Sequence, residues 1–232
     1  RFQTDQLLHI QLRRDTVELR RTVRLLVKEG KMFTTTLHLP EGEETTSLTL
    51  ADGTEPLWKA GPDRTLEIKW AAPITTTAPG AITLVTRIDP AGWFTLGENA
   101  RPLKIGSANV DGPELTTGYV ALDFDERFHV ATTNTVGLEP TDPAHLKANG
   151  VPLTGQLTWT RADKFSLELA VSRRPSEVHA HITTYALPLL HTCELEGQIE
   201  LQVRNSGLRS LLVAAPPGLA ETLRFDSPLI AE

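Results

Sequence analysis

The sequence repeats itself at a distance of 176 positions. Residues 16–46 lie on residues 192–222 without a gap. Thr16/Thr192, Glu18/Glu194, Leu19/Leu195, Leu25/Leu201, Val27/Val203, Pro40/Pro216, Gly42/Gly218 and Thr46/Thr222 are identical. Val23/Ile199, Lys28/Arg204, Met32/Leu208 and Leu37/Val213 are conservative. A unit that recurs without a gap has one fold to satisfy in two places, so each copy constrains the reading of the other.

The two copies settle a local ambiguity. In the first, Val17, Leu19, Val23, Leu25 and Val27 share one parity, and Glu18, Arg20, Thr22, Arg24 and Lys28 the other; Arg21 and Leu26 break the pattern. A helix capped by Asp15 and closed by Gly30 competes there, with Leu19, Val23 and Leu26 on one face. In the second copy Cys193, Leu195, Ile199, Leu201 and Val203 alternate with Glu194, Glu196, Gln198, Glu200, Gln202 and Arg204. Gly197 sits mid-run, where it would cost a helix about 1 kcal/mol. Period two fits both copies, and period 3.6 fits only one. Each copy then turns, at Glu29-Gly30-Lys31 or Asn205-Ser206-Gly207. A second strand follows at 32–39 or 208–215 and stops at Pro40-Glu41-Gly42 or Pro216-Pro217-Gly218. Proline lacks the N–H that a ladder needs, so it ends strands. The repeated unit therefore reads as a long hairpin with a Pro/Gly stop.

The same pattern continues between the copies. It predicts strands at 46–50, 65–70, 81–88, 103–107, 118–124, 128–132, 155–160, 165–171 and 178–185. Gly118, Val120, Leu122, Arg127, Phe128 and Val130 are echoed 37 positions on by Gly155, Leu157, Trp159, Lys164, Phe165 and Leu167. That echo predicts two hairpins, turning at Asp125-Glu126 and at Asp163. One helical turn is expected where Asp142 caps, Pro143 takes the first position and Gly150 closes. Short strands punctuated by Gly, Pro and Asp indicate an all-β chain of antiparallel sandwich architecture. Two arrangements fit: two sandwich-like units over 1–97 and 98–232, divided where Gly and Pro crowd near 97–102, or one large sandwich holding both hairpin copies.

Composition excludes several functions. With a net charge of −6 the chain lacks the basic surface that nucleic acid requires. Residues 1–31 nevertheless carry eight Arg and Lys against four acids, so the rest is markedly acidic. Cys193 is the only cysteine, which rules out an intrachain disulfide and a multi-cysteine zinc site. It lies on the apolar parity and matches Val17, which places it in the core rather than in chemistry. No apolar run approaches the roughly 18–20 residues of a membrane helix. The chain opens on Arg1 and enters a strand pattern within a few residues, so it reads as a mature or excised fragment.

The chemistry-bearing residues are sparse. His179 and His181 in a strand point to one face and could hold a metal with His191 or Asp123. Two solvated histidines beside Glu177 and Arg174 are the plainer reading. Asp123 and Asp125, with Glu126 next, could bind Ca²⁺ or act as paired carboxylates on a glycan. A polar strand end feeding an acidic turn is the plainer reading. No nucleophile elbow and no phosphate loop is present. Trp70 and Trp159 fall on apolar parities and read as core, whereas Trp58 and Trp93, in Pro/Gly surroundings, are candidates for contact with sugars. The repeat adds one contrast: Arg20 becomes Glu196 and Arg24 becomes Glu200. A basic strand face in one copy is acidic in the other, which fits independent drift of two solvated faces and also fits complementary surfaces.

Residues 17–42, with their Leu-Pro-Glu-Gly stop, and residues 157–171 followed by Arg-Arg-Pro-Ser-Glu-Val-His-Ala (173–180) resemble segments of large, uncharacterised bacterial envelope proteins built from tandem β-sandwich modules. The resemblance implies a sandwich fold and an extracytoplasmic setting, and it carries no catalytic residue across. The expectation is a non-catalytic structural or protein-interaction module of a larger exported protein. Such a module would have no cofactor and would meet itself or neighbouring modules through strand edges or charged faces. A glycan- or peptide-binding module is the alternative, and a glycan hydrolase or metal-dependent enzyme the third.

Overall fold

The computed structural model describes residues 1–91, 93, 99–148, 150–175, 177–205, 211–214, 224 and 226. Its strands, in chain order, are β1 (Phe2–Leu12), β2 (Val17–Val27), β3 (Met32–His38), β4 (Glu44–Leu50), β5 (Leu57–Ala60), β6 (Thr65–Ile74) and β7 (Gly80–Ile88). They continue as β8 (Arg101–Gly106), β9 (Asn109–Val110), β10 (Leu115–Phe124), β11 (Phe128–Pro140), β12 (Leu157–Arg173), β13 (Glu177–Pro188) and β14 (Cys193–Arg204). Among the described residues one α-helix, α1 (Pro143–Ala148), is present, capped by the Asp142 carboxylate, which accepts from the Ala144 N–H at 2.8 Å. The fold is all-β, as the period-two alternation requires.

The chain divides into two compact units, Arg1–Pro175 and Ser176–Glu232. A boundary at 97/98 is corrected by the strand pairing. β1 lies beside β10 and β3 beside β9, so residues on either side of 97 share both sheets. Gly97 itself lies outside the described residues.

In the first unit one sheet runs β11-β12-β10-β1-β2-β7-β4, with β8 also on β12, and a smaller sheet runs β5-β6-β3-β9. Every neighbouring pair is antiparallel except β1 with β10, which are parallel from Gln3↔Leu115 to Leu12↔Phe124. The hairpin expected from β2 and β3 does not form. β2 pairs with β1 and β7 in the large sheet, while β3 pairs with β6 and β9 in the small one. Gly30, at φ +85°, carries the chain from one sheet to the other. Neither hairpin of the 37-residue echo forms: β12 lies between β10 and β11, which flank Asp125-Glu126, and β12 continues past Asp163 as one strand of 17 residues. β11 holds one edge of β12 along both halves by means of two register shifts, while β10 and then β8 hold the other edge.

The buried residues form three apolar clusters, a small one of Leu7, Ala121, Leu146 and Leu153 and two large ones. The first large cluster gathers Leu8, Ile10 and Leu19 with Ile105, Phe128 and Leu169. The second joins the two sheets, with Val23, Leu25 and Leu84 against Leu37, Ile68 and Trp70. A polar belt separates these two. Along β2, Leu19 belongs to the first cluster and Val23 to the second, and Arg21 stands between. Thr86 stands likewise between Leu84 and Ile88 on β7, and Gln6 between Leu8 and Phe2 on β1. Arg21 clamps the Glu43 carboxylate with two bonds of 2.6 Å, and Thr86 donates to the same carboxylate at 2.7 Å. Arg161 donates to the Gln6 side chain at 2.6 Å. Burial, reinforced by the nearby Arg21 charge, lowers the Arg161 pKa to about 10. Polar groups survive in a core only when hydrogen bonds replace the lost water, and these bonds do so.

Candidate interaction surface

The second unit supplies the surface that differs most from a closed core. β13 and β14 pair antiparallel from Glu177↔Arg204 to Pro188↔Cys193, and together they make a two-stranded sheet. Strand alternation sorts their side chains cleanly. The face holding Val178, Ile182, Leu195, Ile199, Leu201 and Val203 carries no charge, and Glu194, Glu196, Glu200 and both histidines lie on the other. In the first copy the equivalent face is core: Leu19 and Leu25 are each 0% exposed. In the second, Leu195 and Leu201 are 51% and 37% exposed. Cys193 is likewise exposed, which corrects its expected place in the core. The alternation predicts the uncharged face, and burial needs a covering layer that the β13–β14 sheet lacks among the described residues. Half of the second strand of this copy, expected at 208–215, lies outside the described residues; residues 211–214 are described and form no strand.

The residues singled out from sequence are dispersed. His179 and His181 do share one face, opposite Gln202 and Glu200. Asp123 belongs to β10 in the first unit, where it opposes Gln11 and its charge acts on His9. Among the described residues no group of three His, Cys, Asp or Glu is placed to hold a metal ion. Asp125 is held below the usual carboxylate range by hydrogen bonds and charge from Arg127, which outweigh the opposing effect of burial.

Trp93 is a core residue rather than a contact. It is 3% exposed, stacks on Phe128 at 5.7 Å and donates its indole N–H to the Arg13 carbonyl, at the base of a cleft of about 270 Å³. Trp58 on β5 is half-buried against the second cluster. Arg20 and Arg24 project from the exposed side of β2, and Glu196 and Glu200 are exposed on β14. Sequence reasoning missed His9, which burial shifts down despite the opposing Asp123 charge and whose Nε2 is buried without a hydrogen bond.

No family model matches the chain, and no curated protein does. Among solved structures it resembles a two-domain M1 zinc metallopeptidase in a mutant form bound to L-tryptophan, at 12% identity and a TM-score of 0.43, over 95% of this chain and 52% of that one. It resembles an M1 zinc metallopeptidase mutant from Deinococcus radiodurans bound to a Tyr-Ser-Ala substrate, at 13% identity and a TM-score of 0.43, over 95% and 51%. The M1 zinc metallopeptidase of that organism follows at 12% identity and a TM-score of 0.41, over 95% and 50%. The chain spans about half the length of the structures it matches. At these TM-scores the likeness carries no argument about what the chain does. No helix among the described residues is long and apolar enough to cross a membrane.

Proposed function

We propose that the chain is a non-catalytic structural and protein-interaction module of a larger exported bacterial protein. One observation carries the reading: a hairpin that is core in the first unit recurs in the second with its uncharged face open. An apolar face rimmed by charge is an association surface. Isolated two-stranded sheets are marginal in water, so this one gains most of its stability from whatever covers it. The opposite charges at Arg20/Glu196 and Arg24/Glu200 support contact between successive modules, where exposed pairs set register more than affinity. The exported setting rests on the resemblance of residues 17–42 and 157–180 to envelope proteins.

The test is binding of the apolar dye 8-anilinonaphthalene sulfonate to the full chain and to Ile182→Ser with Leu201→Ser. The wild type is expected to bind the dye, and the double variant to lose most of the signal while the first unit melts unchanged. Equal dye binding by the two proteins would overturn the reading, because the face would then not be open in solution.

A further inference from the structure

The two hairpins match beyond the stretch where their sequences agree. β1 and β2 pair from Phe2↔Val27 to Leu12↔Val17, and adding 176 to every residue gives the observed pairs Val178↔Val203 to Pro188↔Cys193. The closing turns also match. The Arg13 N–H donates to the Thr16 carbonyl at 2.9 Å, and the Leu189 N–H to the Thr192 carbonyl at 2.8 Å, again 176 positions on. A one-residue slip would send every side chain to the wrong face, so shared register means a shared inward face.

The surroundings of the first hairpin define its seat. The free edge of β2 is taken by β7, antiparallel, and that of β1 by β10, parallel. Among the described residues neither edge of the β13–β14 pair has a neighbour. A second observation points to the same seat. The buried pair Arg21–Glu43 corresponds, in sequence, to Gly197 and Leu219, so both charges are gone together. Removing both members of a buried ion pair is tolerated, whereas removing one strands the other. Joint loss is what a second core of the same plan would show.

We propose that β13–β14 is the first hairpin of a second sandwich of this fold, and that a following domain in a tandem array covers it. That domain would set a β7-like strand antiparallel on β14, a β10-like strand parallel on β13, and a second layer over the uncharged face. A second copy of this chain is not the occupant, because its own β1 and β2 already fill the seat. The inference rests on reading the chain as a structural module.

The test transplants the hairpin within the full chain: residues 177–204 replace residues 1–28, with Glu43→Leu to match Leu219 and Arg161→Leu because Ile182 takes the place of its partner Gln6. A control carries residues 178–205 instead, one position out of register. The matched chimera is expected to fold with a cooperative transition of the first unit, protecting the transplanted amides, and the shifted control is expected to fail. Equal behaviour of the two, folded or unfolded, overturns the proposal. Sedimentation of the unmodified chain is expected to give a monomer; a dimer abolished by Leu195→Asp would make a second copy the occupant and overturn it also. If the dye test succeeds and the chimera fails, the module reading stands and only the assigned partner falls.

Discussion

Glu43→Ala is expected to destabilise the first unit by about 3–5 kcal/mol, while Arg21→Leu combined with Glu43→Leu changes its stability far less. The Glu43 side chain is 0% exposed and that of Arg21 4%, and both oxygens of the carboxylate meet the guanidinium. Removing Glu43 leaves Arg21 ionised in the core, with Thr86 as a neutral partner. Arg161 offers no compensation, because its own positive charge opposes that of Arg21 and its hydrogen bonds reach only neutral oxygens of Gln6, Ala162 and Asp163. The paired replacement removes both charges and continues the apolar face from Leu19 to Val23. Urea unfolding of Arg21→Leu, Glu43→Leu and the double variant, read as a double-mutant cycle, measures the coupling. Additive losses would contradict the arrangement.

Gly118→Ala is expected to abolish cooperative unfolding of the first unit or to reduce its stability by more than about 4 kcal/mol. Gly118 has φ +148° and sits opposite Gln6 in the parallel β1–β10 pair. A Cβ there would fall 1.8 Å from the Gln6 carbonyl oxygen, so backbone rather than a flexible side chain would have to move. Displacing Gln6 also disturbs the bond it accepts from Arg161. Gly42 separates this clash from left-handed strain alone: its φ is +80° and nothing lies within 4 Å of an added Cβ. Gly42→Ala should cost about 1 kcal/mol. Thermal melts of the two variants would show whether the close approach of β1 and β10 is real; similar losses would argue against it.

Local chemistry was legible wherever one face was apolar and the other polar. The alternation around Leu19 and Val23 gave β2, and Asp142-Pro143 with Gly150 gave α1. Arg21 stood out as the break in the first alternation, but its partner Glu43 lies in the turn before β4, which no local signal ties to β2. Pairing was less legible than strand identity. The turn at Gly30 looks like a hairpin turn in sequence, yet it joins two sheets. Asp163 looks like a turn residue, and it does fall in the gap between Arg161 and Ser166 where β12 has no partner on β11, yet β11 pairs on both sides of that gap and the strand continues. Trp93 sits among Gly and Pro, and local composition does not say that Phe128 packs on it. A strand was legible at 178–185, but its kinship with β1 was hidden because β1 and β13 share parity and register but little sequence: Leu8 corresponds to Thr184 and Ile10 to Ala186. A candidate site legible as a repeat therefore acquired its shape only once the pairing was known.

One hairpin occurs twice in this chain, once inside a sandwich and once, among the described residues, with its face and edges open. Amide hydrogen exchange on the full chain tests this directly. The outward N–H groups of β2, bonded to β7, should exchange about 100-fold or more slowly than their counterparts on β14, with the Leu19/Leu195 and Leu25/Leu201 regions giving the clearest contrast. Equal protection of β2 and β14 in the monomeric chain would contradict the account.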